Sequence, residues 1–238
     1  MTEPRWIDLN ADLGEGCPWD QDLLPLITSA NVGCGAHAGD ADAIRRTLEG
    51  AIERGVVIGA HPGYPDRANF GRREMTLDAP TVERMIVDQV KGLEGLAGPM
   101  GAAVRYLKPH GALYNQAQRS AAHAEGVVRA ASALNLPLLG QPNSHAADQA
   151  QRAGVAYFTE GFADRGYRPD GSLVPRGEPG ALLEIASEIE AQLLKLAAAG
   201  FTTICLHGDN AKAVALAELA RAVLTREGVL VRSFLGPR

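Results

Sequence analysis

Val32-Gly-Cys-Gly-Ala-His37-Ala-Gly-Asp40 passes from an apolar, strand-like start into a glycine-containing turn that carries a histidine. The same transition recurs at Ile58-Gly-Ala-His61-Pro-Gly-Tyr64, at Tyr106-Leu-Lys-Pro-His110-Gly111 and at Ile204-Cys-Leu-His207-Gly-Asp209. Four strand-to-loop junctions bearing the same imidazole predict parallel strands that deliver polar groups to one end of a single sheet or barrel. The active site is expected at that end.

The rest of the chain agrees with repeated βα units. Strand-length apolar runs fall at 6–12, 29–35, 56–61, 104–109, 137–141, 155–160 and 202–207, with 229–234 as a last strand or tail. Between them, helical periodicity covers 41–54, 79–97, 120–134, 144–153, 179–199 and 211–227. The segment 179–199 has the clearest stripe, through Ala181, Leu182, Ile185, Ile189, Leu193, Leu196 and Ala197, and Gly200 follows as a stop. Loops 62–78 and 161–178 are too rich in glycine and charge to be core. No linker or low-complexity tract divides residues 1–238, so one α/β domain is expected. Seven or eight βα units favour closure into a barrel, although a long open doubly wound sheet fits the same pattern.

Composition narrows the function. The chain has 238 residues, 46% of them hydrophobic and 21% charged, with a net charge of −5 and no basic stripe. Nucleic acid and anionic membrane are therefore not expected partners. No apolar run approaches the ~20 residues that span a bilayer, and Met1–Asp8 lacks an apolar signal core, so the expected compartment is the cytoplasm. Cys17, Cys34 and Cys205 form no CxxC pair, which argues against a disulfide framework and a thiolate zinc site. Cys34 and Cys205 sit in apolar strand ends and read as small buried hydrophobes rather than nucleophiles.

The first strand, Ile7-Asp-Leu-Asn-Ala-Asp-Leu-Gly-Glu-Gly16, puts Asp8, Asn10 and Asp12 on one face by alternation. A parallel strand is covered on both sides, and a buried carboxylate must be paired, hydrogen-bonded or bound to a cation. Glu15 adds a further charge on the following turn.

These stretches, Asp8-Leu-Asn-Ala-Asp-Leu-Gly-Glu15, Asn31 to Asp40, Ala60-His-Pro-Gly-Tyr-Pro-Asp66, Leu107-Lys-Pro-His-Gly-Ala-Leu-Tyr-Asn115, Phe162-Ala-Asp-Arg-Gly-Tyr167 with Asp170 to Arg176, and Leu206-His-Gly-Asp209, together resemble the LamB/YcsF family in the right order from about 7 to 234. The resemblance implies a seven-stranded (β/α) barrel similar to that of polysaccharide deacetylases. It also implies work beside subunits B and C, as the A component of a 5-oxoprolinase, a hydrolase that opens 5-oxo-L-proline to L-glutamate at the expense of ATP. Two departures from the usual wording are Ala36, where the family commonly has an aromatic residue, and Cys17 after the Gly-Glu-Gly run.

A five-membered lactam is a resonance-stabilised amide and a poor electrophile, and phosphorylation turns its oxygen into a leaving group. That chemistry calls for a cationic clamp, a divalent ion such as Mg2+, a base for water and an oxyanion donor. Lys108 is the candidate contact for phosphate or developing charge, and Arg165, held by Asp164, for a bidentate clamp. Asp12, His37 and His61 form a candidate metal set, which would suit a transition metal. His61, His110 and His207 are candidates for acid, base or donor roles, and Glu160 for a base or a partner to the lactam N–H. Asp209 would orient His207 or hold magnesium, while Asn10 and Glu15 add polar contacts. Tyr64, Tyr114 and Asn115 are expected to line the pocket. No Walker-type loop is present, so phosphates would rest on Gly33, Gly35, Gly39 or Gly63, or on a partner. His123 and His145 are given no role. A self-sufficient metal-dependent deacetylase or amidohydrolase is the alternative, and the third reading is a non-catalytic component that only presents a ligand to its partners.

Overall fold

The computed structural model describes residues 5–175, 177–206, 208 and 212–236. It is a single α/β domain around a curled parallel sheet. The chain runs β1 (Trp6–Leu13), α1 (Asp20–Leu23), β2 (Ser29–Gly33), α2 (Ala41–Arg54), β3 (Val57–His61), α3 (Ala79–Ala97), α4 (Gly111–Arg119), α5 (Ala121–Leu134), β4 (Leu138–Gly140), α6 (His145–Ala153), β5 (Tyr157–Phe162), α7 (Ala186–Ala198), β6 (Thr203–Leu206), α8 (Ala213–Arg226) and β7 (Leu230–Val231). The strand order is β3-β2-β1-β6-β5-β4, with β7 pairing the start of β1. Every pairing among these strands is parallel. Among the described residues no helix is long and apolar enough to cross a membrane.

Alternation along β1 explains how the sheet is used. Ile7, Leu9, Ala11 and Leu13 join the large apolar cluster that includes helical residues such as Leu48, Ile86 and Leu224. Asp8 and Asn10 are fully buried on the opposite face. The concave side is thus polar and the helix-facing side apolar, whereas a barrel interior is ordinarily filled by branched aliphatic residues. A second apolar cluster, Val57, Tyr106, Leu139 and Phe234 with Trp6 and Phe158, gathers residues near the amino ends of the strands. Polar chemistry is left to the carboxyl ends.

Local signals place the helices. Asp40, Asp78 and Ser144 each accept a hydrogen bond from a backbone N–H of the first turn of α2, α3 and α6. The expected helices 41–54 and 79–97 have the observed bounds. By contrast, the expected helix 179–199 begins only at Ala186. Its first residues are claimed by the preceding loop: Gly166 N–H donates to Ala181 O, Leu183 N–H to Asp164 O, and Leu182 pairs with Arg165 in an antiparallel bridge. The helix α4 falls in a stretch that periodicity assigns to neither strand nor helix, and its two and a half turns are too short to give a clear period. Residues 104–109 also differ from the expected regular strand. Residues 105–108 make parallel bonds to β3 on one side (Lys108 N–H to Ala60 O, 2.9 Å) and to the 137–139 segment on the other (Leu107 N–H to Pro137 O, 2.9 Å), but only Leu107 forms bridges. Pro109 and Pro137 lack the N–H groups that would extend those ladders.

Candidate active site

The cluster begins with Lys108, whose side chain is 2% exposed although it carries an ammonium. Its Nζ lies 2.8 Å from Glu160 Oε1 and 2.9 Å from Asp12 Oδ1, and it also meets Asn10 Oδ1 at 3.3 Å and Cys205 Sγ at 3.1 Å. Burial by itself disfavours the ammonium, yet the charges of Asp12 and Glu160 outweigh it and hold the Lys108 pKa well above the usual lysine value. The strands supply the partners: Asp12 comes from the end of β1, Glu160 from within β5 beside Thr203, and Cys205 from β6. Burial pushes the thiols of both Cys205 and Cys34 up, that of Cys34 to about 12, so neither is a thiolate nucleophile.

Below Lys108 the polar face of β1 is knitted to its neighbours. Asn10 Nδ2 donates to Glu160 Oε1 (3.0 Å) and Thr203 Oγ1 (2.7 Å), and Asn31 Nδ2 donates to Asn10 Oδ1 (2.6 Å) and Asp12 Oδ1 (2.8 Å). The Tyr106 hydroxyl donates to Asn31 Oδ1 at 2.6 Å. At the deepest point Asp8 accepts from Ser29, Thr28 and Thr203, and burial still lifts its carboxyl to about 6. Asn10 and Asp8 therefore support the site rather than face its opening.

Above Lys108 stand three histidines. His61 Nδ1 lies 2.8 Å from the Lys108 carbonyl, and His110 Nε2 lies 2.9 Å from the Phe70 carbonyl. A carbonyl only accepts, so each of those nitrogens carries a proton. The other two nitrogens, His61 Nε2 and His110 Nδ1, face one another at 3.0 Å. Asp12 Oδ2 stands 3.4 Å from the first, and Glu15 Oε1 3.1 Å from the second. Two ring nitrogens and two carboxylates therefore converge, an arrangement that needs at least one proton or a cation among them. Burial disfavours a charged His61, but Asp12, by charge and hydrogen bond, more than offsets this and raises its pKa. Burial likewise works against ionised Glu15, yet hydrogen bonds from His110 and His37 hold it well below the ordinary carboxylate range. His37 donates from Nε2 to Glu15 (2.9 Å), stacks on His110 with ring centroids 3.8 Å apart, and burial lowers its pKa to about 4.

For a metal the geometry selects Asp12, His61 and His110, whose ligand atoms lie within 4.8 Å of one another, with Glu15, His37 and His110 as a second such group. The expected trio of Asp12, His37 and His61 is not one of these groups, because His37 turns its inner nitrogen to Glu15.

The cluster opens on a cavity of about 1530 Å³, lined among others by Asp12, Glu15, His61, Lys108, His110 and Glu160. Asn115 and Tyr114 lie on its wall as expected, and Arg72, Arg119 and Arg168, unforeseen from sequence, add basic groups there. Four expectations change. Tyr64 is fully buried away from the lining, its hydroxyl donating to Gln116 Oε1 at 2.7 Å. Gly35 and Gly39 also lie off the cavity wall; Gly39 is required by packing, since a Cβ there would meet the Gly14 carbonyl oxygen at 2.1 Å with φ at +70°. Arg165 lines the cavity, but its Nε and one terminal nitrogen donate to the carbonyls of Ala181 (3.0 Å) and Val174 (2.7 Å), tying down the 166–181 loop, and Asp164 is buried beside it. His207 and Asp209 lie outside the described residues. His123 is a packing residue, bonded to Ser120 and the Met75 carbonyl.

Known proteins resemble this chain in sequence and fold. A family model described as the LamB/YcsF family matches residues 7–237. A protein of Methylococcus capsulatus, named as the A subunit of 5-oxoprolinase, is 44% identical, over 98% of this chain and 97% of its own. The crystal structure of a lactam utilization protein from Thermus thermophilus superposes with a TM-score of 0.89 at 33% identity, covering 96% of this chain and all of that one. A polysaccharide deacetylase from Bacillus cereus, with a TM-score of 0.51 and 12% identity over 97% of this chain and 92% of its own, shares the fold alone.

Proposed function

Because the chain belongs to the LamB/YcsF family, we propose that it opens the ring of 5-oxo-L-proline to L-glutamate in an ATP-coupled hydrolysis, as the A component of a 5-oxoprolinase acting with subunits B and C. The observation that carries the reading is the buried Lys108 ammonium, held by Asp12 and Glu160 beneath a large cavity and beside His61 and His110. The names of the relatives from Methylococcus capsulatus and Thermus thermophilus support a lactam as substrate. We read the 105–108 segment as the stave that closes the sheet into a seven-stranded barrel, which would put all these side chains around one opening.

Each side chain has a task in this reading. Lys108, kept charged, stabilises negative charge that develops on the amide oxygen or an attached phosphate. His61 and His110 have their outer nitrogens fixed by backbone carbonyls, so their facing nitrogens hold or move a proton toward the ring nitrogen as it leaves. Asp12 orients both Lys108 and His61. ATP, when bound, activates the amide oxygen as a leaving group; the cavity exceeds the usual size of a small-molecule pocket and leaves space for a nucleotide, whose phosphates Arg72, Arg119 and Arg168 would meet. Mg2+ would accompany those phosphates. A divalent ion also fits Asp12, His61 and His110, where it would polarise a substrate oxygen or a water.

That last fit favours one second reading, an ATP-independent metal-dependent amidohydrolase or deacetylase. The deciding experiment is glutamate release from 5-oxo-L-proline with Mg-ATP, for the chain alone and with subunits B and C. ADP and glutamate formed in step by the full mixture support the proposal. Glutamate or acetate release without ATP, abolished by a chelator, overturns it in favour of the second reading.

A further inference from the structure

The stretch 62–75 passes so close to His37 and His110 that a Cβ on Gly63 or Gly71 would meet the His37 side chain at 2.8 Å. It is irregular in backbone, yet at each end a side-chain amide pairs with it as a neighbouring strand would. Gln89 of α3 accepts from the Gly63 N–H at 3.1 Å and donates to the Gly63 carbonyl at 2.8 Å. Gln116 of α4 does the same at Met75, accepting from its N–H at 3.2 Å and donating to its carbonyl at 3.1 Å. A backbone N–H only donates and a carbonyl only accepts, so the sense of each amide is settled. The Tyr64 hydroxyl, which donates to Gln116 Oε1 at 2.7 Å, reinforces the second clamp.

Between the clamps the backbone turns left-handed. Phe70 has φ +54° and Gly71 has φ +62°. The other non-glycine residues with positive φ among those described are Asn135 and Asn143, which suit that region, whereas a phenylalanine there is strained. Strain of this kind persists only where the surroundings over-determine it. Here Phe70 N–H donates to Arg67 O, Gly71 N–H to Asp66 O and Arg72 N–H to Asn69 O, at 3.2, 2.9 and 3.0 Å. What the turn achieves is the direction of two successive carbonyls. That of Phe70 accepts from His110 Nε2 at 2.9 Å, and that of Gly71 accepts from the Ala112 N–H in the first turn of α4 at 3.0 Å. The Phe70 ring also stands edge-on to His110, with centroids 5.4 Å apart.

We propose that Gln116 and Phe70 are positioning residues for His110. Gln116 clamps the loop along α4, and the left-handed turn aims the Phe70 carbonyl at Nε2, so the ring is held with Nδ1 toward His61 and Glu15. The loop is thus a preformed wall of the site rather than a lid that closes over it. This rests on the lactam reading above for what His110 then does, and adds to that reading the residues that set which nitrogen it presents.

The test compares Phe70→Gly with Phe70→Pro. Both lack the ring, but glycine takes a positive φ freely while proline fixes φ near −65° and must swing the carbonyl away. In the full chain labelled with 15N-histidine, the His110 ring should show one tautomer with Nε2 protonated in wild type and in Phe70→Gly, and a mixture in Phe70→Pro. With subunits B and C and Mg-ATP, kcat for glutamate release should be about tenfold to a hundredfold lower in Phe70→Pro than in Phe70→Gly, with KM for 5-oxo-L-proline little different. Gln116→Met should speed amide hydrogen exchange across 62–75 and mix the His110 tautomers as well. One unchanged tautomer in Phe70→Pro overturns the role of Phe70, and wild-type exchange and tautomer in Gln116→Met overturn the clamp. A wild-type mixture that releases no glutamate would remove the lactam reading, while the tautomer comparison would still decide this one.

Discussion

His110 Nδ1 and His61 Nε2 face each other at 3.0 Å, while a backbone carbonyl engages the opposite nitrogen of each ring. Asp12 and Glu15 bring two carboxylates to the same spot. Four electron-pair donors converging in a buried space repel one another unless something positive lies between them.

A divalent ion is the first candidate for that positive charge. Titration of the chelator-stripped chain with Co2+ is expected to give a visible absorption band that saturates at one equivalent. His110→Ala and His61→Ala should each weaken binding by roughly two orders of magnitude, since loss of an outer-sphere partner alone costs up to about a hundredfold. An unchanged titration in both variants would mean that the pair shares a proton instead.

Lys108 is expected to matter to stability as well as chemistry. Replacing it by Met strands Asp12 and Glu160 as buried carboxylates without their ammonium. Breaking a buried ion pair from one side costs about 3–5 kcal/mol, which urea unfolding would register. The double variant Lys108→Met/Glu160→Gln should recover part of the loss; full additivity of the two single changes would contradict the pairing.

Asp8 should make stability fall as pH rises. Its carboxyl is lifted by burial from the ordinary value of 3.8 to about 6, so below about pH 4 both folded and unfolded chains carry the proton and no penalty arises. Between pH 4 and 6 the unfolded chain alone releases it, and above 6 the full penalty of about 3 kcal/mol is present. Asp8→Asn removes that titration. The difference in unfolding free energy between variant and wild type is therefore expected to shift toward the variant from pH 4 to pH 7, and a flat difference would disprove the shift.

Gly59 on β3 faces the Tyr106 ring so closely that a Cβ would meet it at 2.2 Å. Because Tyr106 is fully buried and hydrogen-bonded to Asn31, it has no free direction in which to retreat. Gly59→Ala should cost about 1–3 kcal/mol by overpacking. With Tyr106→Leu as background the same change should cost far less, as a double-mutant cycle in thermal unfolding would show.

Much of this was legible in the chain itself. Alternation placed Asp8, Asn10 and Asp12 on one face of β1, and the structure buries Asp8 and Asn10 completely. The junction histidines His37, His61 and His110 do gather, and Lys108 and Glu160 do meet, because parallel strands point their carboxyl ends the same way. The roles of Tyr64, Gly39 and Arg165 were not legible. A tyrosine, a glycine and an arginine look alike in a motif whether they face a ligand or a neighbouring carbonyl, and only packing distinguishes the two.

The amino-acid order by itself determined the βα repeat, the polar face of β1 and the end of the sheet where the chemistry gathers, since these depend on periods of 2 and 3.6 residues and on where glycine and proline interrupt them. Only the tertiary structure decided which nitrogen of each histidine turns toward the other ring and which carboxylates meet Lys108. Those choices depend on hydrogen bonds between residues as far apart in sequence as Asn10 and Glu160, and contacts across such separations leave no periodic trace in the chain.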